Sequence, residues 1–434
     1  MTGHESESSV SRRTVLKTTG AASAAGIAGL SGCLSGLTGG SGETEPLQLL
    51  HAWSSGDGAE AISSLFEGFK EQYPDVELNK DSIEGAATQN LNNVVDERIR
   101  NGNPPSTWQN WPGQALTPYV EGDALDDITE SVWSENDMQS AYREGPKKQA
   151  KGGTDHFVSV PVNIHRINNL FYNTAVVEEA GVDPTSLSTP QDVLGAFETV
   201  AGNTDAVPFA HQTNGGWSTV QLWATVLLAD GGYEAYQNFI EGNPDRAAVK
   251  SALDIVADYS NHYPSNSSNI AFTDANNMVM NGEAAFIHQG DWAAGAYRGT
   301  DGFEYGSDWS YVPFPGSEHS YQLNMDSFPY AANNPSPEAT KQFLRYCGSK
   351  DAQIRFNEAK GSIPPRGDVD PSNFPQFQQD QMDDFGSVDH QPPSIQHGLA
   401  LPPEQRTAVV EAIGAFIGTY DSDATADELV SAVQ

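Results

Sequence analysis

The chain has 434 residues and a formal charge of −36, from 58 Asp and Glu against 22 Lys and Arg. That balance excludes nucleic acid and anionic lipid as partners, because both repel a polyanion. With 38% hydrophobic and 9% aromatic residues and no long acidic run, the composition excludes a disordered chain; dispersed carboxylates suit very salty water, where screening over about 3 Å at 1 M removes self-repulsion.

In chain order, Ser11-Arg12-Arg13-Thr14-Val15-Leu16-Lys17 comes first, with adjacent arginines followed by a short apolar segment. This reads as a twin-arginine export address. The Ala/Gly-rich run 18–32 is too short and too weakly apolar to span a bilayer. Leu30-Ser31-Gly32-Cys33 looks like a lipobox, in which the Cys33 thiol is acylated and the preceding peptide 1–33 removed up to it. Residues 34–45 are rich in Gly, Ser and Thr, which is flexible tether chemistry. No later stretch approaches a transmembrane length, so the expected attachment is through the lipid, reinforced by a second chain or a partner. With Cys33 lipidated, Cys347 stands alone and no internal disulfide forms in the mature chain. It shares a helical apolar pattern with Phe343, Leu344 and Tyr346 and reads as a small core residue. The triplet Asn266-Ser267-Ser268 is compatible with surface glycosylation.

The body, about 390 residues, is large enough for two or three lobes. It opens on a buried strand, 47–52, followed by Ile62, Leu65, Phe66, Phe69 and Tyr73 at helical spacing until Pro74. A strand over 76–79 and a helix over 91–99 continue the alternation of a parallel-sheet lobe. Strands are expected at 157–162, 170–172, 284–288 and 311–314. Thr189, Pro190 and Asp192 start a helix that Gly202 can end. Later helices are expected at 219–228, 246–259, 337–347, 352–359, 405–420 and 425–433. No solenoid-length repeat is present.

Several segments then occur in a telling order: Leu49-Leu50-His51-Ala52-Trp53-Ser54-Ser55-Gly56, residues 66–74, and Pro104-Pro105-Ser106-Thr107-Trp108-Gln109. Val160-Pro161-Val162-Asn163-Ile164-His165-Arg166, Phe171-Tyr172-Asn173, residues 280–286, Gly290-Asp291-Trp292 and Asp326-Ser327-Phe328 follow. In order and spacing, over roughly 46–434, the chain resembles the extracellular solute-binding proteins of ABC importers. It looks closest to the members that bind glucose- or galactose-type sugars.

The resemblance implies an α/β, two-lobed, periplasmic-binding-protein-like fold with ligand held between the lobes. The first lobe would take 46–160 and 312–348, the second 161–311 and 349–434. Crossing strands near 160–163, 311–314 and 347–352 would form the hinge. It further implies a sugar ligand, ABC permease subunits as partners, a monomeric chain on the outer face of the cell membrane, no cofactor and no catalysis.

A sugar needs flat aromatic surfaces for its C–H faces and carboxylates, amides or guanidinium for its hydroxyl rim. By resemblance the candidate binding residues are Trp53, one of Asp57 or Glu60, Gln109, His165, Trp217 or Trp223, Asp291, Asp326 and His397. Asp291 and Asp326 would each bridge neighbouring hydroxyls. Arg166 is either part of that rim or a structural strut, and Arg366 is a further candidate. The family pattern has adjacent tryptophans after the first strand, whereas here Ala52 precedes Trp53, so one stacking face is missing. No His-Glu-x-x-His, Gly-x-Ser-x-Gly or phosphate-cradling glycine loop occurs. The ten histidines show no ligand-like spacing, so no metal site is expected. Two alternatives remain open at this point: a secreted glycoside hydrolase, and a binding protein for a peptide or polyamine.

Overall fold

The computed structural model describes residues 46–83 and 89–434. The export signal, the lipobox with Cys33 and the tether 34–45 lie outside the described residues. Eleven strands are described: β1 (Leu47–His51), β2 (Leu78–Ser82), β3 (Thr107–Trp108), β4 (Ser159–Pro161), β5 (His165–Arg166), β6 (Asn169–Asn173), β7 (Val207–Phe209), β8 (Ala284–Gln289), β9 (Trp309–Pro313), β10 (Leu323–Asn324) and β11 (Ser327–Pro329).

They form two sheets joined by two short ladders. The first sheet is parallel, in the order β2-β1-β3, and the second runs β7-β8-β6-β9 with β6 antiparallel to both its neighbours. The inner strands β1, β6 and β8 are buried on both faces, as expected for largely apolar strands, whereas the edge strand β2 is polar and exposed. From β1, Leu47 and Leu49 pack with Leu65, Phe66 and Phe343, while Leu50 points to Leu91, Val95 and Trp108. From β6, Leu170 and Tyr172 join Phe197, Trp223, Tyr259 and Phe416, while Phe171 faces Tyr297, Trp309 and Phe377. Period-two side-chain alternation thus feeds separate cores from one strand.

Between the sheets the chain passes along two antiparallel ladders, β4 with β11 and β5 with β10. Val160 stands opposite Phe328, and Asn324 opposite His165. Ile164 bridges to Ile363 beside them. The crossover therefore involves 159–166, 323–329 and 363, whereas 311–313 lies within the second sheet as part of β9 and Phe314 is buried in the core beside it. The reason is that β9 is paired along its whole length with β6, and apolar composition alone does not say which partner a strand takes.

Helix Lys350–Lys360 also differs from the expected partition. Its Ala352 and Phe356 pack into the first core, against the helix Gly56–Gln72, although 349–434 was expected in the second lobe. Its periodicity marks a buried face but not which core that face enters. The helix expected over 219–228 runs as Trp217–Ile240, two helical pieces meeting at a kink where Gly232 has φ 79°. Helix Pro190–Asn203 carries the expected capping box: Thr189 Oγ1 accepts from Asp192 N at 3.1 Å, and Asp192 Oδ2 accepts from Thr189 N at 2.9 Å. It ends one residue beyond Gly202. Cys347 is free and fully buried, as its apolar neighbours predicted.

Candidate ligand-binding site

A cavity of about 320 Å³ lies where the loop after β1, the residues after β3, the start of helix Trp292–Arg298 and the segment 396–397 converge. Four indoles line it: Trp53, Trp111, Trp217 and Trp292. Between them stand Ser54, Ser55, Asp57, Gln109, Lys360, Gln396 and His397, with Phe272 at one side.

Two of the indoles are seated by glycines. A Cβ on Gly58 would stand 2.6 Å from Trp53 Cδ1, and one on Gly290 would stand 2.2 Å from Trp292 Cζ3. Only a residue without a side chain lets each ring lie so close to the backbone. Trp53 is further held edge-on by Phe356 and Phe328, at centroid distances of 5.2 and 6.1 Å. Trp292 lies edge-on to His165 at 5.3 Å and to His397 at 5.7 Å, and His397 is also edge-on to Trp111 at 5.4 Å. Burial, then the nearby Arg406 and His165, push the His397 pKa down to about 3, so its ring is neutral near pH 7. Its Nδ1 is 2.8 Å from Ser394 Oγ. Lys360 reaches the Asp57 carboxylate, giving the cavity wall an ion pair.

Directly behind this wall runs a chain of buried polar side chains along the crossover. Gln109 Oε1 accepts from the Ala52 amide at 2.9 Å, and Gln109 Nε2 donates to Asp326 Oδ1 at 3.0 Å. Asn163 Nδ2 donates to Asp326 Oδ2 at 2.9 Å and lies 3.0 Å from His165 Nε2. His165 Nδ1 bonds Asp291 Oδ1, and the Arg166 amide donates to Asp291 Oδ2 at 3.0 Å. Such a network is stable when each member is satisfied, and here it fixes Gln109 relative to Trp53 and His165 relative to Trp292.

The structure brings Trp53, Asp57, Gln109, Trp217 and His397 together on the cavity. Of the two carboxylates left open by spacing, Asp57 lines it and Glu60 is exposed on the helix away from it. Of the two tryptophans left open, Trp217 lines it, while Trp223 is wholly buried in the second core, edge-on to Phe239 at 5.1 Å. His165, Asp291 and Asp326 stand in the network behind the wall, with both oxygens of each carboxylate already accepting from protein groups. Arg166 is a strut: its Nη1 meets Asp384 Oδ2 at 2.6 Å and its guanidinium lies over Tyr321. Arg366 is likewise structural, paired with Asp368 and donating to the Gly348 carbonyl.

Sequence reasoning did not single out Trp111, Trp292, Phe272, Lys360 or Gln396 as site residues. The first two were visible as loop tryptophans beside Gln109 and Asp291. The others come from distant segments with no local signal. Among the described residues, no cluster of three or more His, Cys, Asp or Glu side chains could hold a metal ion. No described helix is long and apolar enough to cross a membrane. The arrangement offers flat apolar faces separated by amides, hydroxyls and one ion pair, which matches a ring with apolar faces and a polar rim.

Comparison with known proteins bears on the fold and the family. The xylose/arabinose-binding protein XacG of Haloferax volcanii is 42% identical over 397 residues, covering 91% of this chain and 86% of that protein. An uncharacterized ABC transporter extracellular-binding protein of Pyrococcus horikoshii is 29% identical, covering 90% and 88%. Among solved structures, the bacterial solute receptor AcbH superposes with a TM-score of 0.76 at 17% identity, over 89% of this chain and 97% of its own. A chitin oligosaccharide binding protein gives 0.77 at 16% identity, over 90% and 98%. These neighbours share the two-lobed fold and are binding proteins rather than enzymes. The family model for bacterial extracellular solute-binding proteins matches residues 64–382, and the chain belongs to that family.

Proposed function

We propose that this protein is the sugar-capturing component of an ABC importer, carried out of the cell by the twin-arginine route and held on the outer membrane face by a lipid on Cys33. The observation that supports the sugar reading is the cavity itself, in which four indoles alternate with amides, hydroxyls and the Asp57–Lys360 pair. The printed names of its relatives, among them a xylose/arabinose-binding protein and a probable sugar-binding periplasmic protein of Rhizobium meliloti, point the same way. Trp53 and Trp292 stack on the ring, and Gln109, Asp57 and His397 bond its hydroxyls. Asp326, His165 and Asp291 hold those groups in place from behind.

The first lobe takes 46–160 together with β10, β11 and the two helices Pro337–Cys347 and Lys350–Lys360. The second takes 161–313, so that β9 stays whole, and the chain after the crossover at 363. A ligand touching both favours the closed arrangement by its differential affinity, after which the monomer delivers it to the permease. The charge of −36 fits work in concentrated salt.

A thermal-shift screen of mono- and disaccharides, peptides and polyamines in molar salt tests this reading, because a ligand that binds only the folded chain raises its melting temperature. A sugar that raises it supports the proposal. A shift with peptides or polyamines and none with any sugar overturns it. For the anchor, Cys33→Ser should release the protein from the membrane into the medium.

A further inference from the structure

The cavity does not end at Trp217. Trp217 and Phe272 meet edge-on, with centroids 5.9 Å apart, and both line a second chamber of about 630 Å³ on their other side. This chamber is larger than the first, and Gln396 is shared between the two as well. Its remaining walls include Gln212, Asn214, Arg406, Thr407 and Glu411.

Three features of this chamber bear on what it could hold. Phe272, 39% exposed, is the one large hydrophobic side chain left in solvent among the described residues, on a chain otherwise crowded with carboxylates. A single exposed ring is ordinary in itself; what sets Phe272 apart is that it lines both cavities, edge-on to Trp217. Gln396 and Gln212 are each 3% exposed, and the Oε1 of each has no hydrogen-bond partner. Eight buried Asn and Gln side-chain oxygens among the described residues have no partner, and these two are the ones whose residues line the chamber. Arg406 lies over the Trp111 ring at 5.1 Å and donates from Nε to the Gln396 carbonyl at 2.5 Å. No carboxylate among the described residues forms an ion pair with it, whereas Arg166, Arg366 and Lys360 all have one.

An apolar ring, two under-bonded amides and a guanidinium without a carboxylate repeat, in a second place, the chemistry of the first cavity. We propose that the ligand is a saccharide of at least two rings, the first seated over Trp53 and Trp292 and the second beyond Trp217 and Phe272, where Gln212, Gln396 and Arg406 bond its hydroxyls. This rests on the sugar reading above and goes beyond it in fixing the ligand's length. Phe272 stacks on the second ring, and closure covers it.

The test is calorimetric titration in molar salt with D-xylose, L-arabinose, D-glucose, xylobiose, cellobiose and maltose, on the full protein and on two obstructed variants. Thr407→Trp and Asn214→Trp place bulk in the second chamber from two walls, at positions exposed in the structure and outside the first cavity. The best disaccharide should bind about tenfold tighter than its own monosaccharide, as one or two added hydrogen bonds and a stacked ring would give, and each variant should erase that gain while leaving monosaccharide affinity within about twofold. If a monosaccharide binds as tightly as every disaccharide and neither variant changes this, the two-ring site is wrong and the sugar reading stands. If no sugar binds the unmodified protein, both fall together.

Discussion

Beneath the cavity, Asp326 and Asp291 have both oxygens committed to neighbouring protein groups. In the walls above, Trp53 and Trp292 present ring surface, and the Gln396 oxygen has no partner. At Asp291 and Trp292 the two regions are adjacent in sequence, yet they are opposite in design. Groups in the crossover fix geometry because they are satisfied, whereas the wall presents ring faces, the Asp57–Lys360 pair and a Gln396 oxygen with no partner. A carboxylate near a cleft is therefore not by itself a ligand contact. What it already bonds decides its role.

Substitutions on the two sides should separate these roles. The largest effect is expected for Trp223→Ala, which empties space in the second core and should destabilise the protein by about 3–5 kcal/mol in chemical unfolding, with sugar affinity of the folded fraction intact. Lost affinity at unchanged stability would instead place Trp223 in the site. Asp291→Ala leaves His165 Nδ1 and the Arg166 amide without an acceptor, and a loss of about 3 kcal/mol is expected from denaturant midpoints in molar salt. A stable Asp291→Ala protein with weakened sugar binding would move Asp291 from the supporting network to the binding surface. Trp53→Ala and Trp292→Ala should each weaken sugar binding by about 1 kcal/mol, close to fivefold, measured by titration calorimetry.

Acid should destabilise the fold through its buried imidazoles. Burial holds the pKa of His211, His288 and His397 down to about 3, and that of His51 down to about 4. In the unfolded chain the same imidazoles titrate near 6.5. Between these values the unfolded state binds more protons than the native one, so stability is complete above about pH 6.5 and falls as pH drops towards 3. Melting scans in molar salt, where carboxylate repulsion is screened, should show the decline, and His288→Gln should flatten it. A melting temperature that is constant from pH 7 to about pH 4.5 would count against four neutral buried histidines. The smallest effect belongs to Glu60→Ala, expected to leave stability within about 0.5 kcal/mol and sugar affinity unchanged. A large loss of affinity there would reopen the choice between Asp57 and Glu60.

Much of this architecture was legible in the chain because local rules and tertiary structure agree. Leu47–His51, Arg246–Tyr259 and Pro337–Cys347 follow their periodicity closely, and Thr189 with Asp192 caps a helix as their types require. The short strands Leu323–Asn324 and Ser327–Pro329 gave no local sign, since their pairing with residues about 160 positions earlier creates them. The site divides likewise. Trp53 and Gln109 follow strands of the first sheet and could be read in place, whereas spacing left Asp57 open against Glu60. Lys360, Gln396 and Phe272 reach the cavity only through the packing of remote helices and loops. Spacing alone could not tell Trp217 from Trp223, six residues apart, because one stands at a helix start and the other faces the core of the same helix.

Half of the chain's eight tryptophans, Trp53, Trp111, Trp217 and Trp292, border one cavity, and the neutral His397 ring touches two of them. Any molecule entering there changes the polarity and the quenching contacts of several fluorophores simultaneously. The protein thus carries its own optical gauge of occupancy, readable in concentrated salt without a label.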